Sequence, residues 1–249
     1  MAGHSKWANI KHRKARQDAA KGKTWSKCSR AVIVAARQGG GDPEYNLALR
    51  YAIDEAKAAN MPKDTIAKAI KRGTGELAGA SYEEARYEGY GPAGIAMIVV
   101  CLTDNVNRTA PEMRRLFEKH GGKMDKPGAV AYGFEQKGLV LIEAGKATEE
   151  QLMEAALEAG ADDVAESDGA WELTCRPTDL HALQEALAAA GLEPDSAEVT
   201  MLPMATVACD AGTAEKVLRL IDALEDHDDV QKVYHNAEIP DEVMARFEA

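Results

Sequence analysis

Between Leu139 and Met201 the apolar pattern changes period in a fixed order. Leu139–Ile142 reads as a strand, Glu149–Ala159 as a helix, Asp163–Glu166 and Trp171–Cys175 as strands, Thr178–Ala190 as a helix and Ala197–Met201 as a strand. That βαββαβ order is the split βαβ pattern of a ferredoxin-like sandwich. Half of such a unit stands on each side of it. Ile95–Leu102, Arg108–His120 and Ala129–Phe134 read as βαβ before it, and Met204–Cys209, Thr213–Leu224 and Val230–His235 as βαβ after it. Together the halves complete a second βαββαβ, so the expected topology inserts one ferredoxin-like domain into another. A continuous mixed sheet is the alternative, and it needs unlike strands to match edge to edge.

The first third carries no strand signal. Thr24–Gln38 places Trp25, Cys28, Val32 and Ala35 at helical spacing, and Gly39-Gly40-Gly41 stops it. Asp42-Pro43 reads as the N-cap and first position of a helix running through Leu47 and Tyr51 to about Ala59. Pro62 opens a third helix with Ile66 and Ile70 inward, ended by Gly73. Gly73–Ser81 reads as a linker. The fold class is therefore α+β: a three-helix domain followed by two ferredoxin-like βαββαβ domains, one inserted in the other. Expected domains are 1–78 (basic arm plus helical bundle), 79–136 with 204–249 (discontinuous), and 137–203 (inserted).

Charge divides the chain along the same line. Residues 1–75 hold 16 Lys and Arg against 6 Asp and Glu, a net of +10, and the remainder holds 14 against 35, a net of −21. The acidic whole-chain balance hides this, yet salt screens charge over about 8 Å, so a local cationic field still attracts phosphate. In the first thirty residues Lys6, Lys11, Arg13, Lys14, Arg16, Lys21, Lys23, Lys27 and Arg30 face only Asp18. Residues 1–20 lack an apolar stripe and read as a basic arm, or a helix that orders on binding. Trp7 lies between Lys6 and Lys11, where an aromatic ring can stack on an unpaired base; Trp25 instead shares a face with Cys28 and Val32 and reads as core.

Two further groups fit phosphate contact. Lys63, Lys68, Lys71 and Arg72 close the third helix, with Lys68 three and four residues from the last two. In the turn Thr103–Thr109, side-chain amides of Asn105 and Asn107 and the guanidinium of Arg108 sit at a helix N-terminus, where an anion is welcome. Asp104 or Asn107 reads equally as an ordinary cap. Arg114 and Arg115 extend that helix with added charge.

Catalytic patterns are missing from the sequence: there is no GxxxxGK[ST] loop, no HExxH and no GxSxG. His227-Asp228-Asp229 has metal-ligand side chains but lies between a helix and a strand, and reads as a solvated acidic turn. Gly89–Gly94 precedes a strand, so it reads as a turn and not as a phosphate loop. Cys28, Cys101, Cys175 and Cys209 are isolated among apolar neighbours and read as buried free thiols. No run approaches the roughly 20 apolar residues that span a bilayer, and no apolar segment follows the basic start as in a secretory signal. The expectation is a cytoplasmic protein with no enzymatic activity, cofactor, metal or membrane partner; the sequence leaves the oligomeric state open, with a monomer favoured.

Several motifs carry a resemblance. Met1–Lys14, Ala56–Ile66 continuing through Ala69–Gly73, Tyr87–Pro92, and Leu102–Asn105 with Asn107–Thr109 resemble the signatures of the YebC/PmpR family. The resemblance covers the chain in order. It implies a three-domain, nucleic-acid-associated protein with an inserted domain. Family members are mostly described as transcriptional regulators that bind promoter DNA; others act in translation, at the ribosome or in mitochondria. Ala93 stands where the family usually has glycine, and Gly122–Ala129 departs from its usual loop.

The sequence thus points to a nucleic-acid-binding regulator of gene expression, and more narrowly to a DNA-binding transcriptional regulator. A translation factor on the ribosome or structured RNA, assisting synthesis of proline-rich stretches, is the alternative.

Overall fold

The computed structural model describes residues 21–167 and 169–248. The fold is α+β, with three helices followed by antiparallel sheets. Contacts divide the described chain into two compact units, 21–131 with 211–235, and 132–210 with 236–248.

In the first unit, helices α1 (Lys21–Gly39), α2 (Leu47–Ala58) and α3 (Lys63–Gly73) enclose an aliphatic core of Val32, Ile33, Leu49, Ala56, Ile66 and Ala69. Trp25 packs on this core and donates its indole N–H to the Ala59 carbonyl at 2.9 Å, as a core tryptophan should. Helix α2 starts later than Asp42-Pro43 suggests. Asp42 instead accepts the Glu44 N–H in a local turn at 2.9 Å. The cap is the buried Asn46. Its oxygen accepts from Leu49 N–H at 3.1 Å, while its amide donates to the Ala35 and Gly40 carbonyls, both at 2.8 Å. One side chain therefore caps α2 and closes the end of α1.

The same unit contains a four-stranded sheet in the order β3 (Lys123–Asp125), β1 (Glu83–Tyr90), β2 (Ala96–Thr103), β9 (Val230–His235). All neighbouring pairs are antiparallel. Met97, Ile98, Val99 and Cys101 are fully buried, so β2 is covered on both faces and reads as a continuous apolar run. Helices α4 (Val106–Lys119) and α7 (Ala211–Glu225) pack together and against the sheet, with Met113, Phe117, Val217 and Leu220 inward.

Strand β1 lies in the segment that follows the expected linker. Its sequence, Glu-Glu-Ala-Arg-Tyr-Glu-Gly-Tyr, alternates only at Ala85 and Tyr87; only Tyr87–Gly89 are buried. It exists because β2 pairs with it over its whole length and β3 over its last three residues. The strand expected at Ala129–Phe134 does not form. The backbone donors of Gly128, Val130 and Ala131 bind the Glu88 carboxylate instead, each at 2.9 Å. Burial pushes that carboxyl up, but the three N–H groups outweigh it and hold the group below the usual glutamate range. A single 3₁₀ turn, Ala131–Gly133, then leads into the next strand.

In the second unit, β4 (Phe134–Glu143), α5 (Glu149–Leu157), β5 (Ala161–Ser167), β6 (Ala170–Cys175), α6 (Leu180–Ala189) and β7 (Ser196–Pro203) follow the βαββαβ order. The sheet order β5-β6-β4-β7 is antiparallel throughout. Helix α5 begins with a capping box between Thr148 and Gln151. The strand expected at Met204–Cys209 shrinks to β8 (Val207–Ala208). It pairs in parallel with β10 (Ala237–Glu238) and joins neither large sheet. Helix α8 (Asp241–Glu248) follows.

Two backbone positions are sensitive to the side chain they carry. A Cβ on Gly89 would lie 2.4 Å from the Lys123 carbonyl oxygen and 2.9 Å from the Met124 Cα, both backbone atoms. Gly89→Ala is therefore expected to lower stability by about 1–3 kcal/mol in urea denaturation, by prising β3 from β1. Ala93 has φ 57°, a left-handed conformation in which an alanine side chain is strained. Ala93→Gly should leave stability unchanged or raise it by up to about 1 kcal/mol, and a measurable destabilisation would refute the strain.

Candidate nucleic-acid interface

Lys6, Trp7, Lys11, Arg13, Lys14 and Arg16 lie outside the described residues, as does the side chain of Lys21. The remaining basic candidates separate into two groups.

Lys23, Lys27 and Arg30 are four and three residues apart on α1, hence on one helical face. All three face the turn that follows α7. Helix α7 ends at Glu225, where its unpaired carbonyls concentrate negative potential. Lys27 Nζ donates to the Glu225 carbonyl at 2.7 Å. Lys23 Nζ donates to the Asp226 carbonyl and lies 3.6 Å and 3.9 Å from the Asp226 and Asp228 carboxylates. Arg30 Nη1 binds the Asp228 carbonyl and Asp229 Oδ1, the latter at 2.9 Å. Burial holds the Lys27 ammonium below the usual lysine range, against the pull of Glu225.

Asp229 is the centre of this arrangement, and its side chain is 4% exposed. Oδ2 accepts from Arg108 Nη2 at 2.6 Å and from Thr109 Oγ1 at 2.8 Å. Thr103 Oγ1 lies 2.8 Å from Thr109 Oγ1. Burial pushes the Asp229 carboxyl up. Hydrogen bonds from Arg108, Thr109 and Thr103 and the charge of Arg108 outweigh it and leave it below the usual aspartate range. The Asp229 N–H donates to His227 Nδ1 at 3.1 Å, so the neutral imidazole carries its proton on Nε2, 3.0 Å from Glu112 Oε2.

This corrects the reading of His227-Asp228-Asp229 as a solvated turn. Asp228 is exposed, but Asp229 is buried among two guanidinium groups and two hydroxyls. Ligand-type atoms of Glu112, His227 and Asp229 lie within 4.8 Å of one another. Both Asp229 oxygens are already occupied, and a metal cation there would meet Arg30 and Arg108, so the geometry is that of a structural ion-pair network. No sequence signal marks it, because its members are 121 and 199 residues apart.

The turn at Thr103–Thr109 is also built for structure. Asn105, rather than Asp104 or Asn107, is the N-cap of α4 and accepts the Arg108 N–H at 3.1 Å. Arg108 reaches Asp229 and pairs with Asp104 at 3.1 Å. Asn107 stays exposed.

The second group is different. Lys63, Lys68, Lys71 and Arg72 are exposed on α3, whose Ile66 and Ala69 face the core. None has a carboxylate partner among the described residues. Their charge is available to an external anion.

Asp229→Ala should cost about 1–3 kcal/mol in denaturant unfolding, since it removes the buried acceptor shared by Arg30, Arg108 and the Thr109 hydroxyl. The sign of the pH dependence follows from the lowered Asp229 carboxyl. Its contribution is fully present above the unfolded aspartate value of about 3.9 and disappears as pH falls through the folded value. The difference in unfolding free energy between wild type and Asp229→Ala should therefore be constant from about pH 7 to 5 and narrow below about pH 4; a difference that stays flat down to about pH 2 would exclude this role for Asp229.

The model described as the TACO1/YebC protein N-terminal domain matches residues 5–76, and that of the TACO1/YebC second and third domain matches residues 82–237. A probable transcriptional regulatory protein of Persephonella marina is 53% identical over 248 residues, 99% of each chain. One of Pseudomonas aeruginosa is 56% identical over 248 residues, 99% of this chain and 100% of that one. The crystal structure of a conserved hypothetical protein from Aquifex aeolicus superposes with a TM-score of 0.80 at 46% identity, over 91% of this chain and 93% of that one. With both family models matched in order along the helices and sheets described above, the chain belongs to the TACO1/YebC family.

Proposed function

We propose that this chain is a nucleic-acid-binding regulator of gene expression, acting as a DNA-binding transcriptional regulator and not as an enzyme. The observation that carries the reading is the exposed row Lys68, Lys71 and Arg72 with Lys63 on α3, free of carboxylate partners among the described residues. The names of its relatives, probable transcriptional regulatory protein, support the regulatory role. In this reading α3 and the basic segment 1–20 dock on phosphates, while Lys23, Lys27, Arg30 and Arg108 brace the scaffold through the protein's own acids.

A second reading has its own support. The row on α3 is dominated by lysines, point charges that suit phosphate contact whatever the base sequence. Structured RNA, including that of the ribosome, presents the same phosphates. Crosslinking in cells with parallel sequencing of bound DNA and RNA separates the two: promoter enrichment is expected for the first reading and ribosomal RNA for the second.

The triple variant Lys68→Ala, Lys71→Ala, Arg72→Ala removes only exposed charge and should melt like wild type. In binding titrations across salt concentrations its log K against log [salt] slope should be shallower by about 0.9 for each duplex phosphate that is no longer neutralised, up to about 2.7 in all. An unchanged slope would remove α3 from the interface.

A further inference from the structure

Strand β3 pairs with only the last three residues of β1, Glu88–Tyr90. Pro127, which has no N–H to give, follows two residues after β3 ends. Among the described residues the edge of β1 on that side is consequently without a strand before Glu88. Alternate strand residues point their backbone groups to opposite sides, so one of Arg86 and Tyr87 turns its N–H to this open edge. A cleft of about 460 Å³ opens there.

Three cations line it, from three different elements: Arg86 of β1, Arg114 of α4 and Lys126 of the loop after β3. Arg86, Arg114 and Lys126 are exposed, and none forms an ion pair among the described residues; Arg86 acts on Glu88 only through its charge at longer range. Contrast Lys23, Lys27, Arg30 and Arg108 of the same unit, which the protein's own acids and carbonyls engage. The two acids in the lining are engaged by backbone donors. Glu88 accepts three N–H groups from the loop, and Asp125 accepts the Lys126 N–H at 2.8 Å. The Tyr90 hydroxyl also donates to the Ala129 carbonyl at 3.1 Å. The loop that carries Lys126 is thus tied down at both ends before any ligand arrives, which lowers the ordering cost of binding.

We propose that this cleft is a phosphate-binding site, and that its ligand is a phosphate of the nucleic-acid backbone. The first part stands on the cleft alone; the second rests on the nucleic-acid reading above. Two guanidinium groups give planar, forked donors that match phosphate oxygens, and the lysine adds a point charge. A backbone phosphate held here would fix register and would not read sequence.

The test uses the full chain and two probes. Inorganic pyrophosphate is titrated into isotope-labelled protein while the side-chain Nε–H signals of Arg86 and Arg114 are followed by NMR. Duplex DNA and a structured RNA are titrated at several salt concentrations against wild type and the triple variant Arg86→Gln, Arg114→Gln, Lys126→Gln. The expected result is a saturable shift of both arginine signals, and a salt slope in the triple variant shallower by about 0.7–0.9 for each phosphate that the cleft no longer neutralises. Pyrophosphate shifts with unchanged nucleic-acid affinity would overturn the backbone assignment and leave a free phosphate compound as the ligand. Pyrophosphate shifts with no nucleic-acid binding by wild type would refute the proposed function while keeping the site. Arginine signals that move with neither probe would refute the site. The wild-type titration does not depend on how the variant folds.

Discussion

A single buried carboxylate ties three parts of the first unit together. Asp229 stands where α7 hands over to β9, and it draws in Arg30 from α1 and Arg108 from α4. The buried carboxylate would be costly alone, and the guanidinium groups and the Thr109 hydroxyl make it tolerable. The network is also directional. Two guanidinium groups and the Thr109 hydroxyl take both oxygens, which fixes how the helices approach the turn as well as that they do. Apolar contacts alone, being non-directional, would hold the same elements together with less definition.

That network changes the meaning of the charge pattern. Residues 1–75 have a net charge of +10, a sum in which every lysine and arginine is equally open to a ligand. Folding distinguishes them. Lys23, Lys27 and Arg30 point at the end of α7, where carbonyls and aspartates engage them, and Arg108 binds the other oxygen of Asp229. The acidic run Glu225–Asp229 sits in the part of the chain with a net of −21, so the two halves of the charge split partly cancel inside one compact unit. What remains among the described residues for an outside polyanion includes the row on α3 and the cations around the β1 edge.

How far the sequence discloses all this depends on how local the cause is. The βαββαβ order from β4 to β7 is legible because apolar runs such as Leu139–Ile142 and Trp171–Cys175 and the helical spacing of α5 and α6 are local signals, and α5 carries its own capping box of Thr148 and Gln151. Trp25 is legible as core because its partners Cys28 and Val32 lie on the same helix. Strand β1 is not, since a run such as Glu-Glu-Ala-Arg is extended only because β2 lies beside it. The start of α2 is misplaced by local pattern because Asn46 owes its capping position to bonds with α1, which no short window records. The Ala129–Phe134 run looks like a strand on apolar content, yet the distant Glu88 claims its donors. Among the candidate site residues, those on one helix, Lys68 through Arg72, can be grouped by spacing. The grouping of Arg86, Arg114 and Lys126 requires three elements to be folded first.

The remaining acidity bears on how such a surface can work. The whole chain carries a net charge of −11, so a nucleic acid at low ionic strength feels repulsion from carboxylates far from the contact as well as attraction at it. The two effects have different ranges. At about 0.15 M salt the screening length is about 8 Å, which removes most of the distant repulsion, while charges in direct contact with phosphate are screened less. If the chain binds nucleic acid as proposed, the selection is therefore one of fit. Only a polyanion whose phosphates come within a few ångströms of the unpaired cations would gain from them. An acidic body with a few exposed cationic sites suppresses the indiscriminate adhesion that a uniformly basic protein would show.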